Sequence, residues 1–210
     1  MRRAVKSEPL LDTAIEQFGR LGFEGASTRH IAKASGTAMS SITYHFGGKE
    51  GLYLAAADRI AQGISEIQAP LFAAARAAAI ESRDQAVDWM LRLLDGFARM
   101  MLSPETEAWA RFIIREQQHP TEAFDRIYRG AMEPLAHTFI DLLARIRTDL
   151  AEREVRALAI LFFGQAFILR AGRASMCRVM GVDQIDEDTA NLLRARLRAN
   201  AHCILMEKLA

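Results

Sequence analysis

The sequence predicts an all-α protein in two parts: a three-helix helix-turn-helix domain at residues 1–52, then a larger helical domain at 53–210. Three observations carry this. Apolar residues recur at helical spacing along the chain: Leu11, Ile15 and Phe18; Leu52, Ala56 and Ile60; Leu91, Leu94 and Ala98; Leu193, Leu197 and Ala201. No stretch sustains the two-residue alternation of a half-buried strand. Finally, seven of the 13 glycines fall between Gly19 and Gly51, whereas later punctuation comes from Pro70, Pro104, Pro120 and Pro134. Closely spaced breaks delimit short helices, and sparse ones allow long helices.

The first helix is expected to start at Ser7 as cap, with Glu8 favourable in the first turn and Pro9 tolerated there. Its apolar face is Leu11, Ile15 and Phe18, and it ends in the turn through Gly22 and Gly25. Ser27 caps a second helix that buries Ile31 with the small Ala32 and Ala34. Gly36 makes the turn to a third helix, about Ala38 to His45, with Ile42 and then Phe46 inward and Met39, Ser40, Ser41 and Thr43 outward. A helix from about Lys49 to Gln68 follows without a linker and should join the two parts rigidly. Near the end, helices are expected at about Ala151–Met180 and Asp188–Leu209.

Composition narrows the function. The chain has 210 residues, 50% apolar and 25% charged, enough for a real core. Net charge is only +1, and residues 1–50 hold seven basic against five acidic side chains, so an electrostatic case for nucleic acid rests on placement. Cys177 and Cys203 match no metal or redox spacing and read as reduced thiols of a cytoplasmic protein. Arg2, Arg3 and Lys6 are followed by Glu8 and Asp12, which is not a secretory signal pattern. They are expected to be a frayed terminus, with a minor-groove arm as the alternative. The longest apolar run, Ala157–Leu169, is interrupted by Gln165 and is too short to span a bilayer. No GxSxG, HExxH or GxGxxG motif occurs, and the five histidines show no paired metal spacing. An enzyme, a metal and a cofactor are therefore not expected.

Two short helices joined by a glycine turn make a unit with a physical reason to bind double-stranded DNA. The second fits a major groove and offers its side chains to base edges, and small polar residues permit close approach. The first offers a capped N-terminus to phosphate. Residues 23–53, FEGASTRHIAKASGTAMSSITYHFGGKEGLY, resemble the DNA-binding domain of the TetR family of bacterial repressors. The matching positions are Ile31-Ala32, Gly36, Tyr44-His45-Phe46, Lys49 and Leu52, and the form is most similar to the subgroup with a CerR-type C-terminal domain. Some positions depart from the pattern. Ala38 stands where a serine often caps the recognition helix, leaving Thr37 to cap one residue early; Ser40 replaces a frequent glycine; and Met39 replaces a polar base reader.

The resemblance implies roles. Ser27 and Thr28 match phosphate contacts at the second helix, and Tyr44, His45 and Lys49 match a phosphate-contacting or domain-packing set. Ser40, Ser41 and Thr43 are the implied base readers, with Met39 beside them. The resemblance also implies a homodimer through the last two helices and a small-molecule effector bound in the C-terminal domain, whose arrival releases the DNA. Gly164 and Ala171 are small enough for close helix approach, and Leu193, Leu197, Ala201 and Ile204 form an apolar stripe. Seven of the nine methionines lie after residue 89, and soft methionine and aromatic side chains suit a hydrophobic ligand or an ordinary core equally well. Candidate ligand contacts are Phe97, Met101, Phe112, Glu116, Tyr128, Phe163 and Gln165. The alternative is a DNA-binding protein with a filled C-terminal core and no effector.

Overall fold

The structure, a computed structural model, describes residues 8–78 and 80–207. The expected cap at Ser7 and the basic residues Arg2, Arg3 and Lys6 lie outside them. Among the described residues the chain is helical and contains no strand. The helices are α1 (Glu8–Gly25), α2 (Thr28–Ala34), α3 (Met39–Phe46), α4 (Lys49–Ala77), α5 (Arg83–Leu102), α6 (Glu107–Gln118), α7 (Glu122–Ile127), α8 (Glu133–Ile146), α9 (Glu152–Ala171), α10 (Arg173–Met180) and α11 (Glu187–Met206). A 3-10 turn at Pro104–Thr106 precedes α6, and a π-helical turn at Tyr128–Met132 joins α7 to α8. By compactness the chain does not part between residues 52 and 53. One unit runs to Glu66 and includes Glu105–Glu133; the other comprises Ile67–Pro104 and the chain from Pro134 onward.

In the first unit, α1 buries Leu10, Ala14, Ile15 and Phe18, and the expected Leu11 is only half-buried. The helix breaks at Gly22, whose φ is 76° and ψ 174°. Ile31 and Ala32 of α2 and Ile42 of α3 point inward, whereas Ala34 is exposed and Phe46 half-buried, against expectation. Leu52, Tyr53, Ala56, Ala57, Ile60, Ala61 and Ile64 form the buried stripe of α4. Aromatic rings join these helices to α6: Phe18 meets the Tyr53 ring edge-on at 4.8 Å, and Tyr53 stacks on Phe112 at 4.6 Å. Each such side chain contributes about 1.5–3 kcal/mol by leaving water.

Two prolines do not stop the helices they enter. α4 passes Pro70 and continues to Ala77, because Leu71–Ala77 are mostly strong helix formers that sustain the next turns. Pro134 sits at the second position of α8 and has no N–H for the carbonyl of Gly130 four residues back. The Ser65 hydroxyl donates to that carbonyl instead, at 2.8 Å.

In the second unit α5 packs against α9 and α11, around the fully buried Met90, Leu93, Leu94, Phe139 and Phe162. Ser82 and Gln85 form a reciprocal cap at the start of α5. Arg194 of α11 holds Asp95 of α5 through two bonds, 2.7 and 2.8 Å. The last carbonyls of α11 are met by two guanidinium groups: Arg147 donates to Ile204 at 3.0 Å and Arg83 to Leu205 at 2.8 Å. The expected single helix at 151–180 is two, α9 and α10, bent by 80° at Gly172. There φ is −97° and ψ 15°, outside the helical range, and a β-carbon would press on Ile168. Among the described residues, no single helix is long and apolar enough to cross a membrane.

Candidate nucleic-acid interface

The α2–α3 turn is held by backbone bonds. Ser35 N–H donates to Ile31 at 3.0 Å, Gly36 N–H to Lys33 at 3.3 Å and Thr37 N–H to Ala32 at 2.8 Å, with Gly36 at a φ of 65°. Thr37 is not the cap of α3. Its hydroxyl points back to the Ser35 carbonyl at 3.5 Å, and Ala38 occupies the cap position without a side-chain bond. The helix closes on Gly47 in a left-handed conformation. Ile42 anchors α3 inward, and most of the other side chains are turned out. Tyr44 is 74% exposed, Met39 48%, and Ser40, Thr43 and His45 are exposed, whereas Ser41 is half-buried.

On α2, Ser27 has the extended backbone of a cap, but its hydroxyl bonds no helix amide. Ser27 is exposed and Thr28 half-buried. Arg29 and Lys33, four residues apart, are exposed on the same helix as the exposed His30. Sequence reasoning counted these cations but gave them no role; their spacing was the available signal. Lys49 ties the head together. Its ammonium donates to the Glu24 carbonyl at the end of α1, at 3.2 Å, and lies 4.7 Å from the Phe23 ring centre. An ammonium has three N–H groups, so this bond leaves donors for an anion.

The seven candidate ligand residues divide between the units. Phe97, Met101, Phe163 and Gln165 belong to the second, where Phe163 lies 5.6 Å from Phe97 and 4.7 Å from Phe139. Met101 is buried and Gln165 half-buried. Phe112, Glu116 and Tyr128 belong to the first. Phe112 is packed on Tyr53, and Tyr128 is 41% exposed and stacked 6.0 Å from Phe124. Glu116 is buried, and four protein donors meet its carboxylate. Tyr53 O–H reaches one oxygen at 2.6 Å; Thr121 N–H at 3.1 Å, Thr121 O–H at 2.8 Å and Phe124 N–H at 3.0 Å reach the other. The burial of this carboxylate is thus compensated by protein donors, three on one oxygen and one on the other, without any ligand.

Comparison with known proteins accounts for this architecture. The family model of bacterial regulatory proteins of the TetR family matches residues 10–56, and that of the C-terminal domain of the HTH-type transcriptional dual regulator CecR matches 86–207. The subgroup expected as CerR-type is thereby named CecR. The HTH-type transcriptional dual regulator CecR of Shigella flexneri is 30% identical over 201 residues, spanning 93% of this chain and 89% of the relative. The HTH-type transcriptional regulatory protein RaaS of Mycobacterium tuberculosis is 28% identical over 94% of this chain and 80% of its own length. Two solved structures share the fold. A TetR-like transcriptional regulator from Rhodococcus sp. RHA1 has a TM-score of 0.69 at 20% identity, over 99% of this chain and 100% of that one. A TetR-family regulator from Streptomyces coelicolor has a TM-score of 0.63 at 18% identity, over 95% and 94%. The chain belongs to the TetR family of bacterial regulatory proteins, in the group with a CecR-type C-terminal domain.

Proposed function

We propose that this regulator is a homodimeric repressor that occupies a palindromic operator and leaves it when a small hydrophobic effector binds. The observation that carries the reading is the exposed face of α3, where Met39, Ser40, Thr43, Tyr44 and His45 stand outward around the single anchor Ile42. A helix with small polar side chains outward and a short turn behind it suits a major groove. Ser40 and Thr43 read bases, with Ser41 and Met39 beside them. Ser27, Thr28, Tyr44, His45 and Lys49 hold phosphates, and Arg29 and Lys33 add charge.

A second copy fits an apolar face of the second unit. On α9, Ile160 is 68% exposed, Leu161 63% and Ile168 55%, with open space beside Gly164; on α11, Leu192 is 47% exposed. Of the stripe expected at the interface, Leu197 and Ala201 are buried within the subunit, where α11 packs on α5, and Leu193 and Ile204 are half-buried. A two-fold dimer requires half-sites about one helical turn apart, or a multiple of it.

The effector is proposed to lodge among Phe97, Met101, Phe163 and Gln165, which combine flexible apolar surface with one amide. α4, continuous from Lys49 to Ala77, has residues in both units and gives a covalent path for the signal. A coupling of about 1–3 kcal/mol would weaken operator binding 5- to 150-fold, and DNA would weaken effector binding by the same factor. The test is to select an operator from random duplexes with the full-length protein. Hydrophobic compounds that raise its Tm are then titrated into the complex, with reporter expression measured alongside. Repression relieved by a Tm-raising compound is expected. Compounds that bind without loosening the operator complex would favour the effector-independent alternative, and activation by the bound protein would replace repression.

A further inference from the structure

α6 carries three side chains that each reach a helix flanking the DNA-reading motif, α1 or α4, beside bonds to Glu107 of α6 and to the start of α7. Arg111 pairs with Glu16 of α1 at 2.6 Å. Arg115 donates to the carbonyls of Gly19 and Arg20, each at 2.8 Å, in the last turn of α1 before its break at Gly22. Glu116 accepts the Tyr53 hydroxyl of α4 at 2.6 Å, and its second oxygen takes the amides and the hydroxyl that open α7. Burial first, and the neighbouring carboxylate next, push the Tyr53 phenol far above its ordinary range, so it stays a donor at any working pH.

The backbone is shaped for the same contacts. A β-carbon on Gly63 of α4 would stand 2.3 Å from the Trp109 indole of α6. One on Gly19 of α1 would stand 3.2 Å from the Ala108 carbonyl. Gly63 thus leaves room for the Trp109 ring, and Gly19 lets α6 approach α1 slightly closer than a larger residue would. The matched C-terminal family model spans 86–207, yet Glu105–Glu133 is compact with the N-terminal unit.

We infer that α6 completes the DNA-binding head, and that Arg111, Arg115 and Glu116 are positioning residues for the recognition helix. This rests on the reading of α2–α3 as the DNA-reading motif. The physical reason lies in how the two kinds of DNA contact depend on geometry. Hydrogen bonds to base edges fall off steeply with distance and angle, whereas attraction to phosphates is long-ranged and tolerant. A head whose α1 and α4 are loosened from α6 keeps its charge and loses its aim. These residues lie on α6, outside the α2–α3 motif, so their loss is expected to fall on sequence preference.

The test uses full-length protein, a duplex that the wild type selects from a random library, and a scrambled duplex of equal length. The wild type is expected to prefer the selected duplex by roughly 1,000-fold or more. Tyr53→Phe keeps the ring and removes only the bond to Glu116. It should lose about tenfold on the selected duplex, with scrambled-duplex affinity and salt slope unchanged. Arg115→Ala should erode the preference further, and Arg115→Lys, which can still reach one carbonyl, should restore part of it. Equal losses on both duplexes, tracking a lower Tm, would mean a merely structural role and overturn the inference. So would an unaltered preference in Tyr53→Phe and Arg115→Ala. If Tyr53→Phe does not fold, Arg111→Gln, which breaks the half-exposed ion pairs with Glu16 and Glu107, is read by the same criterion. A wild type with no preference at all would instead refute DNA reading by α3, and the inference with it.

Discussion

At Gly51 a single methyl group has nowhere to go. A β-carbon there would lie 1.7 Å from the carbonyl oxygen of Phe46, a backbone atom that cannot swing aside. The end of α3 is thus pressed against the first turn of α4, and this contact sets where the recognition helix lies. Gly51→Ala is expected to cost about 1–3 kcal/mol, as other overpacked sites do, and to reduce operator binding well beyond the loss of folded protein. Thermal melts with binding titrations check this; an unchanged Tm would contradict it. Lys49 answers to a different measurement. Lys49→Ala removes its bond to Glu24 and the phosphate contact proposed for it, so affinity should fall on all sequences alike, with the salt slope smaller by about 2 per dimer. The glycine breaks and the Tyr44-His45-Phe46 run were legible in the sequence because they are local. That Gly51 is small because of Phe46, or that Glu116 is bonded by Tyr53 and the start of α7, was not, since those contacts are made only in the folded chain.

Among the helices, α9 and α11 carry the clearest contrast. Ile160→Glu with Leu161→Glu should give a folded monomer at micromolar concentration by sedimentation, with Tm little changed. Leu197→Glu should instead cost several kcal/mol, because it places a charge in the core. A dimer that survives the first pair would remove this face from the interface. Periodicity displayed the Leu193–Leu197–Ala201 stripe plainly, but a helix buried against its own subunit and one buried against a copy share the same period. Pro70 misled for a related reason: helix breaking is a local tendency, and the helix formers after it prevail. The end of α8 bears on acid stability. The hydrogen bond from Arg147 holds the Asp149 carboxyl down to about 2, below the ordinary value of about 3.9. Its stabilising effect is therefore complete above pH ~4 and is lost as pH falls through about 2. In urea titrations from pH 7 to pH 2, the advantage of wild type over Asp149→Asn should stay constant and then shrink below pH ~4; a constant difference throughout would contradict the pairing.

At the scale of the whole molecule, α6 and α7 matter most. By sequence position and by family model they belong to the C-terminal domain, yet they are compact with the helices that read DNA. The boundary at residue 52 follows the motif, and the compact unit follows the packing of α1, α4 and α6. The fold class was legible because helical period, sparse strand signals and glycine spacing agree; the grouping of residues 105–133 with the N-terminal helices was not, because it depends on a segment that returns from about forty residues away. If α6 is part of the head, amides of 107–118 should gain protection from hydrogen exchange on operator binding together with those of α1; protection confined to α2 and α3 would contradict that. Specific two-fold DNA binding is measured most directly by titrating the selected duplex with full-length protein over a range of salt. The expected result is two copies bound per palindromic site, a preference over scrambled duplex of roughly 1,000-fold or more, and an affinity that falls steeply as salt rises. One copy per site, or equal affinity for selected and scrambled duplexes, would contradict it.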